Sequence, residues 1–427
     1  MGFAKSQLMK IEERGYKVTD KCVCSGCIKD KHLVYLIRQN GAKGACDFCK
    51  DDSGKPIKHR KVFPLESLMQ NIMPAIDYYY LDADDAVPYD KETDEYLGNV
   101  TEHCNFIYTT LAEEMQTDNQ DLLDELYRII IPKNRTSVYE FFDRNSKKSI
   151  NAWANYTELI NARNEMSVEQ IVSLCGNSNA PDDLKEIKNV LQEVMFYARE
   201  LYSYLTINPG TVLYRCVNFH HKNSTVNGYD SIPATLIGTA PSKYAENGRF
   251  NEKGDMMFYG TSNPEIAMIE VGSKDGLPFT IGEFHTNKRI RVLNLCQVQN
   301  WKRPSVFDLD KKSIDKRECW LFLNEYISLI SAPVCDKEKS EEYYKPIQVF
   351  TKYIQRVTGL YGIAYRSSKS KQNDRNSDYV TDRCYVLFAE NRDCMDEFEK
   401  STKMNSSRLQ LFMTRSWQKD SNTLDCN

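Results

Sequence analysis

The sequence predicts an α+β protein in which a small cysteine module and a helical segment precede a larger domain of mixed strands and helices, and three observations predict it. Cys24 and Cys27, then Cys46 and Cys49, form two C-x2-C pairs separated by eighteen residues. That is the spacing of a four-thiolate zinc site built from two knuckles, which makes the N-terminal module zinc-ribbon-like. From Leu184 the apolar residues Ile187, Leu191, Val194, Ala198 and Leu201 recur at steps of three and four, which defines one buried helix face. After Gly248 the pattern changes to short apolar runs with strand composition, 256–259 and 384–390, set between turns and helical stretches.

In the cysteine module, four thiolates fill a tetrahedral shell and leave no open position, so the zinc is structural. Cys22 and His32 are substitute ligands by proximity, and Gly26 and Gly44 suit the tight turns of knuckles. The basic run Lys58, His59, Arg60 and Lys61 reads as a solvated linker in preference to a phosphate-binding patch. Helices are expected at 65–80, 104–115, 121–131 and 150–163, with an acidic loop at 82–95, and Pro209 with Gly210 ends the helix that begins near Leu184. The expected borders are a zinc module at 1–62, a helical domain at 63–207, a larger mixed domain at 208–392 and a polar C-terminal extension at 393–427.

A chain of 427 residues accommodates two or three domains. No apolar run approaches the roughly eighteen residues of a spanning helix, and the N-terminus lacks the apolar core of a secretory signal. The expected location is therefore the cytoplasm, where the 14 cysteines stay reduced and the Asn-x-Ser/Thr matches at Asn134 and Asn155 are chance. MGFAKS matches a myristoylation pattern without a second membrane signal and reads as coincidence. A net charge of −4 argues against nonspecific nucleic-acid binding.

Residues 248–270 hold the candidate chemistry. Arg249 follows Gly248 in a turn, Tyr259 lies in the short apolar run, and a helix starts with Asn263 as N-cap, Pro264 at its first position and Glu265 in its first turn. Helix capping accounts for Glu265 but not for Glu270, whose carboxylate shares a face with Ile266, Ala267 and Val271.

This segment, GRFNEKGDMMFYGTSNPEIAMIE, resembles the core of the RES-domain family, toxins and defence proteins similar in fold to ADP-ribosyltransferases that attack NAD. LYRCV, which contains Arg215, YYKPIQVFTKYIQ, and GIAYRSS followed by CYVLFAE extend the resemblance over roughly residues 208–392. It implies an ADP-ribosyltransferase-like α+β domain with Arg249, Tyr259, Glu270 and Ser367 as catalytic residues and Arg215 as a substrate-binding residue. Phe250 stands where the family often has tryptophan, Ser368 competes with Ser367 for the serine role, and the polar loop 369–382 has no counterpart in the pattern. The order of domains resembles proteins in which a HEPN-like helical region precedes RES. The Arg-then-His pair of HEPN ribonucleases is missing, since His103 stands alone in the helical segment, so this region is read as noncatalytic and regulatory.

The residue types suit the substrate that the resemblance implies. A guanidinium binds phosphate oxygens through paired charge-assisted hydrogen bonds, which fits Arg249 and Arg215 to the NAD pyrophosphate. Tyr259 offers an aromatic face to the cationic nicotinamide, Ser367 would orient the ribose, and Glu270 would stabilise the oxocarbenium-like state at the anomeric carbon. The expected function is an intracellular NAD-degrading toxin or anti-phage effector. ADP-ribosyl transfer to a macromolecule, phosphorolysis of NAD, and an inactive zinc-containing binding protein remain open alternatives. The implied partners are NAD, an antitoxin or phage-derived trigger protein, and a second copy of the chain.

Overall fold

The computed structural model describes residues 9–419 except 10, 12, 51–56, 58–59, 84–87, 94, 97–99, 132–137, 141–151, 176, 178, 219–224, 227–228, 231, 273–278, 299, 332–339, 368 and 370–382. The MGFAKS pattern, Lys58, His59, Ser368 and nearly all of the loop 369–382 lie outside the described residues. The chain is α+β and divides into two units, Met1–Ala152 with Arg303–Glu318, and Trp153–Lys302 with Cys319–Asn427.

In the first unit, β1 (Cys22–Cys24) pairs antiparallel with β3 (Arg60–Pro64), which also pairs with β2 (Ala42–Gly44). The short helix α1 (Lys31–Asn40) is capped by Asp30, whose side chain accepts from Leu33 N. α2 (Leu65–Tyr79) follows β3 directly and buries Leu65, Leu68, Met69, Ile72, Met73 and Ile76. A helical run from His103 to Met115, wound as a π-helix over Phe106–Leu111, and α3 (Gln120–Ile129) complete the same core. The segment Arg303–Glu318 contributes Val306 and Phe307 to that core. It also brings Arg303 and Arg317 to the buried Glu114 carboxylate, Arg317 Nη2 at 2.9 Å. A charge this deeply buried is tolerable only when paired in this way.

Glu125 on α3 gives the first unit a pH dependence. Burial pushes its carboxyl up, but hydrogen bonds from Arg128, Lys21 and Thr19 outweigh it and hold the group down to about 2. The stabilisation is therefore present above the ordinary carboxylate range and is lost as pH falls from about 4.5 towards the folded value. Thermal melts of the first unit between neutral pH and pH about 3 should show this acid-labile component, and Glu125→Gln should flatten it. An unchanged acid limb in that variant would refute the assignment.

In the second unit, α4 (Asp182–Glu200) buries Leu184, Ile187, Leu191, Val194 and Ala198, the face given by the periodicity. It stops well before Pro209 and Gly210. Tyr202 takes a left-handed φ of 56°, and the chain continues as β4 (Tyr204–Ile207), because pairing with the strand Ile290–Asn294 outweighs further helix. β4 lies on the helical side of the expected 207/208 border yet belongs to the large sheet.

That sheet has nine strands among the described residues. In chain order they are β4, β5 (Val212–Asn218), β6 (Phe258–Thr261), β7 (Phe279–Thr286), β8 (Ile290–Asn294), β9 (Gly362–Arg366), β10 (Arg383–Leu387), β11 (Cys394–Asp396) and β12 (Leu411–Lys419). Across the sheet the order is β11-β12-β7-β5-β6-β10-β9-β8-β4. The pairs β8–β9 and β11–β12 are parallel and the other pairs antiparallel. β12 falls in the segment expected to be a polar extension. Its Leu411, Phe412 and Met413 are buried, and it pairs with β7 along its length.

Three helices bear on the site. α5 (Pro264–Val271) follows β6; α6 (Lys311–Ser331) belongs to the first unit as far as Glu318 and to the second from Cys319; α7 (Ser340–Val357) precedes β9. Among the described residues no helix is long and apolar enough to cross a membrane.

Candidate functional site

β5, β6 and β10 lie side by side in the sheet, with Tyr214 opposite Thr261 and Tyr259 opposite Val386. The strand expected at 256–259 is displaced to Phe258–Thr261, because the partner residues Cys384–Leu387 supply a ladder only from Phe258 onward. α5 then starts as the sequence requires. Asn263 accepts from Glu265 N at 2.8 Å, Pro264 occupies the first turn, and Gly272 at φ 73° closes the helix with its N–H on Met268 O.

A cavity of about 490 Å³ opens here, within the range of small-molecule sites, roughly 300–1,000 Å³. Arg215 of β5, Arg249 of the turn, Tyr259 of β6 and Glu270 of α5 all line it. Ser367, buried at the end of β9, joins them through its hydroxyl, which donates to Glu270 Oε1. The serine hydroxyl is thus hydrogen-bonded to the carboxylate.

The two arginines are held differently. Arg215 donates from Nε to Ile237 O at 2.7 Å and from Nη1 to Tyr259 O at 2.9 Å, and the residue lines the cavity. Burial pushes this guanidinium below its ordinary value, and it remains a cation. Arg249 donates from Nη1 to Ile330 O of α6. Burial raises the Tyr259 phenol far above neutrality, so it serves as a hydrogen-bond donor, to Asn251 Oδ1 at 2.5 Å.

Several cavity residues were not found by sequence reasoning. Tyr365 of β9 and the buried Phe250 stand with ring centroids 5.4 Å apart, so Phe250 fills the place of the expected tryptophan as an aromatic wall. Lys369 donates from Nζ to Glu270 O at 2.7 Å at the C-terminal end of α5, where a cation suits the helix dipole, and from its backbone N to Ser367 Oγ at 3.2 Å. Asn251 and Gln348 brace the arginine turn. The signal was present, since Tyr365 and Gln348 fall in GIAYRSS and YYKPIQVFTKYIQ, but spacing alone does not say which side of a strand or helix meets a turn a hundred residues away. Arg215, Arg249 and Lys369 outweigh Glu246 and Glu270 by one positive charge, which favours an anionic ligand.

The cysteine cluster lies in the first unit. The Sγ atoms of Cys24, Cys27, Cys46 and Cys49 lie within 4.8 Å of one another and can hold a metal ion. Adjacent sulfurs are 3.2, 3.5, 3.6 and 3.9 Å apart. A tetrahedron with metal–sulfur bonds of about 2.3 Å has edges of about 3.8 Å. Gly26 N at 3.4 Å and Arg60 Nη1 at 3.6 Å from Cys24 Sγ, with Asn119 Nδ2 at 3.8 Å from Cys27 Sγ, supply donors to the thiolates. Gly26 is not among the positive-φ glycines, and a Cβ there would meet only the end of the flexible Arg60 side chain, Nη1 at 2.8 Å, so no tight turn demands glycine here. Neither substitute ligand enters the cluster. Cys22 lies outside it, and His32 faces Asp308 at 3.7 Å. Arg60 and Lys61 form part of β3, with Lys61 Nζ donating to Arg38 O, so this half of the basic run is no linker.

Residues 39–173 match the family described as HEPN/RES N-terminal domain 1, and residues 212–410 match the RES domain. The chain is a RES-domain protein with a HEPN/RES N-terminal region. RES domains are a toxin-like group associated with NAD-using, ADP-ribosyltransferase-like enzymes. No curated protein and no solved structure matches the chain.

Proposed function

We propose that the chain is an NAD-degrading effector that cleaves the bond between nicotinamide and ribose. The observation that carries this reading is Glu270, a carboxylate hydrogen-bonded by Ser367 in a cavity that also holds Arg215, Arg249, Lys369 and the rings of Tyr259 and Tyr365. Arg249 and the cavity edge of Arg215 take the pyrophosphate, and Tyr259 with Tyr365 flanks the nicotinamide. As the glycosidic bond breaks, its electron pair moves to the nicotinamide nitrogen, neutralising the ring, and positive charge develops at the anomeric carbon. Glu270 lowers the energy of that charge. Water, phosphate or an acceptor side chain then attacks the same carbon. The biological reading is a cytoplasmic toxin or anti-phage effector, restrained by an antitoxin or released by a phage-derived trigger.

Incubation of the full chain with NAD, followed by chromatographic separation, tests the proposal. Free nicotinamide with ADP-ribose means hydrolysis, ADP-ribose phosphate means phosphorolysis, and labelled protein means transfer. Intact NAD would overturn the reading in favour of a binding protein. Ser367→Ala should lower kcat about tenfold with little change in KM, because one charge-assisted hydrogen bond to the carboxylate is lost. Undiminished kcat would show that the serine does not orient Glu270.

We assign the metal of the cysteine cluster as one structural zinc, on the four-sulfur donor set and its edge lengths. All four positions are taken by protein ligands, so no step of the reaction is assigned to it.

A further inference from the structure

The arginine turn is a closed loop on its own chain. Gly254 N donates to Ala245 O and Gly248 N to Asn251 O, both at 2.9 Å. Within it, Asn251 donates from Nδ2 to Glu246 O at 2.8 Å and Glu252 O at 3.0 Å, while its Oδ1 receives the Tyr259 hydroxyl. One side of α7 grips this loop at two places. Lys352 Nζ reaches Asp255 Oδ2 at 2.6 Å. One turn earlier, Gln348 directs Nε2 at Asn247 Oδ1, Gly248 O and Asn251 O, at 2.8, 2.7 and 3.0 Å. Gln348 is 4% exposed, and its amide nitrogen has two hydrogens to share among three acceptors.

From this geometry we infer that Gln348 is a positioning residue for the proposed cleavage site, setting Arg249 through its hold on the loop. The inference rests on the reading of that cavity as the site of NAD cleavage. Its physical basis is separable. The acceptors on the loop carry no covalent or secondary-structure link to α7, and the Gln348 amide reaches all three. Leucine fills similar volume and removes the amide's contacts, leaving Asn251 O with only the Gly248 N–H, and glutamate sets a carboxylate against the same acceptors. Loosening the loop lets the Arg249 guanidinium sample positions away from the ligand.

Two measurements on the full chain test this. Hydrogen exchange should quicken in peptides covering 246–252 in Gln348→Leu, while α5 keeps its protection. Unchanged exchange in the loop overturns the inference whether or not NAD is the substrate. Turnover then separates positioning from bulk destabilisation. Gln348→Leu should raise KM for NAD about tenfold in the wild-type background. In the Arg249→Ala background it should do so by less than about twofold, because the loss acts through the arginine. Equal losses in both backgrounds would mean a purely structural glutamine and also overturn it. A wild-type chain that leaves NAD intact defeats the catalytic reading instead, and the exchange result then decides alone whether Gln348 sets the loop.

Discussion

Glu270→Gln should lower kcat for NAD cleavage by two or more orders of magnitude while NAD affinity stays within a fewfold. The amide keeps the shape of the carboxylate and can still accept the Ser367 hydroxyl, so the cavity is preserved. What is lost is the negative charge that the proposed mechanism sets against the anomeric carbon, and an electrostatic group of this kind contributes on the order of 3 kcal/mol to the transition state. A loss confined to the transition state lowers kcat and kcat/KM together. Arg249→Ala should weaken binding as well, since it removes a pyrophosphate partner. In cells the wild-type chain should deplete NAD and arrest growth, and the Glu270 variant should be tolerated. Near-normal turnover by the Gln variant would make Glu270 a structural carboxylate and defeat the mechanism.

What the sequence revealed and what it hid divide along local and nonlocal physics. The start of α5 is a local signal, an N-cap, a proline and an acidic residue in consecutive positions, and each lies where those preferences put it. Glu270 could be singled out because a carboxylate among apolar helix positions conflicts with burial unless it has a use. The cysteine spacing is equally local within each knuckle. By contrast, the start of β6 depends on β10, more than a hundred residues later, and β4 becomes a strand only because β8 is there to pair with it. The capture of Arg303–Glu318 by the core of the first unit depends on Glu114 and on Phe307 finding an apolar niche, which no window of sequence records. Gln348 is the same case in miniature. An amide on a helix becomes meaningful only beside three carbonyl-type acceptors from another part of the chain.

Removal of zinc should have the larger effect on stability. Cys24, Cys27 and Cys46 are buried in the same core as Val23, Phe48, Leu33 and Ile37, so the module's packing depends on the four sulfurs staying close. Structural zinc sites contribute on the order of 10 kcal/mol or more to the folding of the module that binds them. Protein purified without added metal should carry one zinc per chain, and cobalt substitution should give the absorption of a tetrahedral tetrathiolate. Chelation, or Cys46→Ser with Cys49→Ser, should abolish the metal and the thermal transition of the cysteine module. The donors from Arg60 and Gly26 match a negatively charged thiolate cluster, so Arg60→Ala should leave zinc bound but easier to extract. A zinc content near zero in the wild-type chain, or undiminished zinc in the double cysteine variant, would remove the metal from this account. It would leave four thiols whose closeness then needs another cause.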